Sequence, residues 1–315
     1  MRSLLAIALL LLATNSFAQT TACDLQAIPL SIVGFAADPT GALSPGNFRL
    51  FLDGRPQRVD TLTFGAFPRT TYILLDSSGS MTGSRYWKLA EEFVVLAAKL
   101  APAGDVKIAV FNRRISKFLD RKDVLASGLP AIDGLLSGGF KNGRTALYDA
   151  VLASVAAMPH VAPEDTVLVV TDGGDNESKA AYKELKAKLR ATRTRLFVVF
   201  VRHADQSTIL EDREVPNLAE VVESSGGMLF TGLPAVKLSA LDNNHEAPPP
   251  GEKELGQYLA ELAAWYKGVR SNYRIDVPPL PGAAKVKIEL VPKVERTRLF
   301  YPREIGPCNT AGANR

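Results

Sequence analysis

From Thr71 onward the chain alternates short, unbroken apolar runs with stretches in which apolar residues recur every three or four positions. The runs are TYILL (71–75), VKIAVF (106–111), TVLVVT (166–171), RLFVVFV (195–201) and GMLFT (227–231). They are rich in Val, Ile, Leu and Phe and have the length of strands buried on both faces. Between them, SRYWKLAEEFVVLAAKLA puts Tyr86, Leu89, Phe93, Leu96 and Leu100 on one helical face, with Glu91 opposite. TALYDAVLASVAAM and KAAYKELKAKLRA also read as helices. Strand and helix in repeated alternation predict a doubly wound, mostly parallel α/β sheet with helices on both faces, over residues 70–240.

The ends follow a different pattern. Within residues 23–69, LSIVGFAAD and NFRLFLDGRPQRVDTLTF alternate in the manner of half-buried strands, with Asp53-Gly54 as a hairpin turn. Residues 272–305 repeat that pattern in NYRIDVP, KVKIELVP and RLFYP. Ahead of them lie a proline-rich linker (241–253) and a helix (254–271). The N- and C-terminal β segments are expected to pair into one small β-subdomain.

Residues 1–18 have the layout of a secretory signal peptide: Arg2, then an apolar run from Leu4 to Ala13, then Ser16-Phe17-Ala18 at the cleavage positions. An exported protein, secreted or held in the periplasm or envelope, is the expectation. No later segment reaches the ~18 to 20 apolar residues of a transmembrane helix. The only cysteines are Cys23 and Cys308, and in an oxidising compartment two cysteines are most simply a disulfide. It would close a loop of 284 intervening residues, removing on the order of 4 to 5 kcal/mol of unfolded-state entropy in the chain-entropy model. A lipid anchor at Cys23 ranks second, because Thr20-Thr21-Ala22 lacks the leucine usual before a lipidated cysteine. The 37 basic and 33 acidic residues give a net charge of +4. The two signs are interspersed, which argues against nucleic acid as a partner.

The chemistry concentrates where strands end. In a parallel sheet, ligands bind at the carboxyl edge, and there the run YILL stops on Asp76, with Ser78 and Ser80 following at alternate positions. Thr145 opens a helix in GFKNGRTALYDA, and Asp172 ends the third buried run in VLVVTDGGDN. Two carboxylates and three hydroxyls, without thiol or imidazole, suit a hard divalent cation, Mg2+ first, with Mn2+ or Ca2+ as alternatives. A simple helix cap accounts for the Asp76 loop but not for Thr145 and Asp172. An aspartyl-phosphate enzyme would carry a second carboxylate where Ser78 stands, and no P-loop or nucleophile elbow occurs. Asp175 and Glu177 read as acids at the start of a helix near Ser178, Asp149 as a support for the Thr145 loop, and Trp265 and Tyr266 as core contacts. His160, His203 and His245 lack metal-ligand spacing and read as surface residues.

Asp76-x-Ser78-x-Ser80, Thr145 in GRTALYDA and Asp172 in VVTDGGDN together resemble the metal-ion-dependent adhesion site (MIDAS) of von Willebrand factor A (VWFA) domains. The resemblance covers roughly residues 70–235. The flanking β segments resemble those of VWFA-related domains in secreted bacterial proteins. The resemblance implies a Rossmann-like fold and a non-enzymatic adhesion module. Ser78 and Ser80 would ligate the metal through their hydroxyls and Thr145 directly or through water. Asp76 and Asp172 would act mostly through bound waters, and the remaining coordination position would take a carboxylate from a protein partner. Arg144 departs from the family, which often has a small residue before the threonine; it either competes with the metal or recruits an acidic ligand. A metal-dependent hydrolase or phosphatase, or a structural envelope module with a vestigial site, remain the alternatives.

Overall fold

The strands form where the apolar runs predict them. The computed structural model describes residues 26–33, 43–65, 70–82, 86–101, 104–138, 143–159, 162, 165–201, 209–231, 251–270, 272–293 and 297–307. The first elements are β1 (Gln26–Val33), β2 (Phe48–Leu52), β3 (Arg55–Gln57), β4 (Thr61–Phe64) and β5 (Thr71–Asp76). Then come α1 (Gly79–Thr82), α2 (Trp87–Leu100), β6 (Val106–Phe111), β7 (Leu119–Asp120), α3 (Arg121–Ser127), α4 (Leu129–Leu136) and α5 (Leu147–Ala157). The α/β region continues with β8 (Thr166–Thr171), α6 (Tyr182–Thr192), β9 (Arg195–Phe200), α7 (Ile209–Ser224) and β10 (Leu229–Phe230). The chain closes with α8 (Glu252–Arg270), β11 (Asn272–Val277), β12 (Ala284–Leu290), β13 (Arg298–Phe300) and β14 (Glu304–Ile305).

The central sheet has the order β10-β9-β8-β5-β6-β7. Every pairing in it is parallel except that of β7 with β6. Its long strands are mostly apolar because both faces are covered, with the polar residues chiefly at their ends. Ile73, Leu75, Val110 and Val170 face Phe93 and Val94 of α2 together with Leu262 and Trp265 of α8. Tyr72, Leu74, Val167 and Val169 face Val151 of α5, Leu185 of α6 and Val221 of α7. Helix α8 therefore belongs to the α/β core, and Trp265 and Tyr266 are buried as expected. It begins at Glu252, so the last residues of the expected linker are its first turn; residues 241–250 lie outside the described ones.

The terminal segments interleave into two four-stranded antiparallel sheets, β13-β1-β11-β4 and β14-β12-β2-β3. In the first, Ile28 of β1 lies opposite Ile275 of β11; in the second, Leu50 of β2 lies opposite Ile288 of β12. The inward residues Ile28, Leu30, Leu50, Tyr273, Ile275 and Ile288 share one core. Asp53 and Gly54 both have positive φ (49° and 76°), the twist a two-residue hairpin needs.

The β-subdomain is fastened to the α/β core by a buried cation. Arg195, at the start of β9 and 1% exposed, donates from Nε and Nη2 to Gly226 O (2.9 and 2.6 Å). Its Nη1 donates to Ser31 Oγ of β1 (3.0 Å) and its Nη2 to Phe300 O of β13 (3.2 Å). Close packing continues at Gly226, where a Cβ would lie 2.4 Å from Tyr301 C.

Residues 1–18, Cys23, Cys308 and the three histidines lie outside the described residues. The flanks of the two cysteines do meet: Gln26 Nε2 donates to Gly306 O at 2.6 Å. No helix among the described residues is long and apolar enough to cross a membrane.

Candidate metal centre

Strand β5 lies between β6 and β8, so its carboxyl end opens at the middle of the sheet edge. There Asp76, fully buried, curls the chain over itself, its Oδ1 accepting from Ser78 N at 2.9 Å. This turn brings Ser78 Oγ and Ser80 Oγ to 3.2 Å of each other. Ser77 turns the other way and fixes the loop to β6, donating from N and Oγ to Phe111 O (2.7 and 2.9 Å).

The Thr145 loop joins at Gly143, whose carbonyl accepts from Gly79 N at 3.1 Å. It is also tied to β6, because Ala146 N donates to Asn112 O (2.8 Å). Thr145 itself is buried, 3% exposed. Its N donates to Asn176 Oδ1 (3.0 Å), and its carbonyl accepts from Asn176 N and Glu177 N (both 3.0 Å). The Asp172 loop is thereby clasped to the Thr145 loop. Asp175 tightens the clasp by accepting from Leu147 N (3.1 Å) at the start of α5, and Asp149 by accepting from Lys179 N and Ala180 N (3.0 and 3.1 Å).

Asp76 Oδ2 accepts from Thr171 Oγ1 at 2.7 Å, and that same hydroxyl accepts from Gly173 N at 3.1 Å. Burial pushes the Asp76 carboxyl up to about 7, with the Asp172 charge adding to it; the Thr171 and Ser78 hydrogen bonds pull the other way. Asp172 is 7% exposed, its Oδ1 accepts only a long bond from Gly174 N (3.4 Å), and its Oδ2 is buried without a partner. Among the described residues no group of three or more His, Cys, Asp or Glu comes together, so any cation here depends on the hydroxyls as well as the carboxylates.

The backbone bonds thus bring the loops of all five predicted residues, Asp76, Ser78, Ser80, Thr145 and Asp172, to one sheet edge. Buried carboxylates, adjacent hydroxyls and an orphaned carboxylate oxygen fit a hard cation. Arg144 neither enters the centre nor stands free: its Nη1 meets Glu177 Oε2 at 3.1 Å. Glu177 accordingly serves as that ion-pair partner, and Asp175 caps α5 rather than the next helix. That next helix begins at Tyr182, not near Ser178. Asp149 supports the loop, as expected. The sequence reading missed Thr171 and Asn176. Thr171 was findable, since the parallel register that sets Leu75 beside Val170 puts the next pair, Asp76 and Thr171, side by side. Asn176 carried no such signal.

The sequence model of the von Willebrand factor type A domain matches residues 71–174, about a third of the chain, and that segment contains all five residues. No curated protein matches the chain. Among solved structures, it is similar to an aerotolerance-related membrane protein from Bacteroides fragilis NCTC 9343 (14% identity, 61% of this chain and 99% of that one, TM-score 0.39). It is also similar to BatB from Bacteroides thetaiotaomicron (15% identity, 62% and 98% covered, TM-score 0.38). A third is a von Willebrand factor type A structure from Catenulispora acidiphila (11% identity, 92% and 74% covered, TM-score 0.41).

Proposed function

Residues 71–174 match the von Willebrand factor type A domain, and from that match we propose an exported, non-enzymatic module that binds an acidic group of a protein partner through Mg2+. Ser78 and Ser80 would hold the ion by their hydroxyls, Thr145 directly or through water, and Asp76 and Asp172 mostly through bound waters. Mn2+ and Ca2+ are the alternatives for the same oxygen-only set. When bound, the ion supplies a Lewis-acidic centre that accepts a carboxylate oxygen from outside the chain. The chain's own part is to hold the Ser78 and Ser80 hydroxyls close together and to place two carboxylates beside them in a buried setting.

The observation that carries this reading is the orphaned Oδ2 of Asp172, buried beside a second carboxylate with no Lys or Arg paired to either among the described residues. A buried carboxylate oxygen left without a donor costs on the order of 1 to 3 kcal/mol or more. A coordinated cation removes that cost. The test is calorimetric titration of Mg2+ into wild type, Asp76→Ala and Ser78→Ala. Both variants are expected to keep the circular-dichroism spectrum and lose Mg2+ binding. Unchanged Mg2+ affinity in both would refute the assignment.

A further inference from the structure

We infer that the partner offers a short run of acidic residues rather than a lone carboxylate, its second acid seated on Arg113 at the rim of the metal centre. The inference rests on the metal-and-carboxylate reading above and deepens it.

Strand β6 ends at Phe111 and folds straight back, with Phe111 and Ile115 bridging in antiparallel fashion. Asn112 locks the turn: its N donates to Arg114 O (3.0 Å), and its Oδ1 accepts from Arg114 N (3.3 Å). Asn112 is 6% exposed, and a Cβ on Gly143 would lie 3.6 Å from its Nδ2. Phe111 O holds Ser77 and Asn112 O holds Ala146, so both residues before Arg113 are bonded to the loops that carry Ser78 and Thr145. Arg113 therefore stands at the tip of a turn fixed to the metal centre. It is exposed and has no ion-pair partner among the described residues. Arg114 is exposed beside it.

The three arginines at this edge are not equivalent. Arg144 is paired with Glu177, which leaves Arg113 as an uncompensated cation. The centre's own carboxylates are buried, and Arg113 presents an exposed, unpaired positive charge on the turn bonded to its loops. A guanidinium takes a carboxylate in a two-pronged hydrogen-bonded pair, adding specificity to the metal contact. A phosphate polymer would need a stripe of cations along its backbone. Among the described residues the unpaired cation at this edge stands on one turn, which suits a second acid close in sequence to the first.

The test compares two synthetic peptides on a Gly-Ser background, one with a single Asp and one with Asp-Glu-Asp, plus polyphosphate as a competitor. Binding is read with Mg2+ and with EDTA, alongside Mg2+ calorimetry, in wild type and Arg113→Glu. The triple-acid peptide is expected to bind wild type about 1.5-fold to fivefold more tightly than the single-Asp peptide, the range of an exposed charge pair. Arg113→Glu should erase that advantage and leave Mg2+ affinity unchanged. Equal binding of the two peptides, or an advantage surviving in Arg113→Glu, overturns the inference while leaving the metal reading intact. Tighter binding of polyphosphate overturns the choice of partner. Absence of Mg2+ binding, or of Mg2+-dependent binding by either peptide, overturns the metal reading and the inference with it.

Discussion

Thr171 offers the sharpest probe of the centre, because it touches the carboxylate without being a predicted ligand. Valine matches threonine in shape, so Thr171→Val removes a hydroxyl from a fully buried position and little else. Two bonds go: the 2.7 Å donation to Asp76 Oδ2 and the 3.1 Å acceptance from Gly173 N. A hydrogen bond to a charged group contributes about 1.5 to 3 kcal/mol, so the variant should strengthen the Asp76 carboxyl's hold on its proton roughly tenfold to a hundredfold. That carboxyl already titrates near neutrality, pushed up to about 7 by burial and by Asp172. At pH 7.5 most of the wild-type protein then has Asp76 ionised and ready for a cation, and most of the variant does not. Apparent Mg2+ affinity should fall about threefold to twentyfold at pH 7.5 by that proton competition. At pH 9 the wild type has shed almost all of the proton and the variant at least about half, and the gap should narrow to about twofold or less. Calorimetric titration of Mg2+ at the two pH values measures this. Unchanged affinity at pH 7.5, or a loss of equal size at both pH values, would show that Thr171 does not act through the ionisation of Asp76.

Arg195→Met removes the guanidinium's hydrogen bonds to Gly226 O, Ser31 Oγ and Phe300 O across the two subdomains. Urea unfolding should show a loss on the order of 3 kcal/mol or more. Mg2+ affinity should stay within about twofold, because Arg195 lies beside Thr166 at the opposite sheet edge from Asp76. A loss below about 1 kcal/mol would mean the buried guanidinium is not what fastens the subdomains. The Gln26–Gly306 bond brings the flanks of Cys23 and Cys308 together, in support of a disulfide between them. Protein purified from an oxidising compartment should therefore show no thiol that alkylates in denaturant until it is reduced. Two alkylatable thiols before reduction would refute the pairing.

What the sequence made legible was the part governed by local pattern. An apolar strand cannot tolerate a carboxylate in its middle, so runs that stop on Asp76 and follow Val170-Thr171 with Asp172 mark the sheet edge by themselves. What stayed hidden depended on partners distant in sequence. Arg195 opens an apolar run and reads as an ordinary polar strand end. Only the packing of Gly226, Ser31 and Phe300 around it makes burial tolerable. Helix α6 starts late because the Asp149 carboxylate, 30 residues away, binds Lys179 N and holds the chain outside helical geometry. Asp175 follows the usual rule that acids sit at helix starts, but the helix it caps is α5, two elements earlier in the chain. The place of α8 was hidden for the same reason: it follows a proline-rich segment in the chain, yet its Leu262 and Trp265 complete the covering of the central sheet.

These features converge on one electrostatic argument. A carboxyl whose folded titration lies above its usual range favours the protonated folded state. Asp76's share of stability is thus complete at acid pH and is lost as pH rises toward about 7. The metal-free chain is therefore least favoured by this group near and above neutrality, where Asp76 and Asp172 carry charge side by side. The hydrogen bonds from Thr171 and Ser78 reduce that cost without removing it, and Asp172 Oδ2 receives none. A fold built only for stability gains nothing from such a pair, since an apolar residue at either position would fill the sheet edge at lower cost. The same uncompensated charge that weakens the empty chain at neutral pH is what gives a divalent cation its hold there, so the instability and the proposed affinity have one physical source.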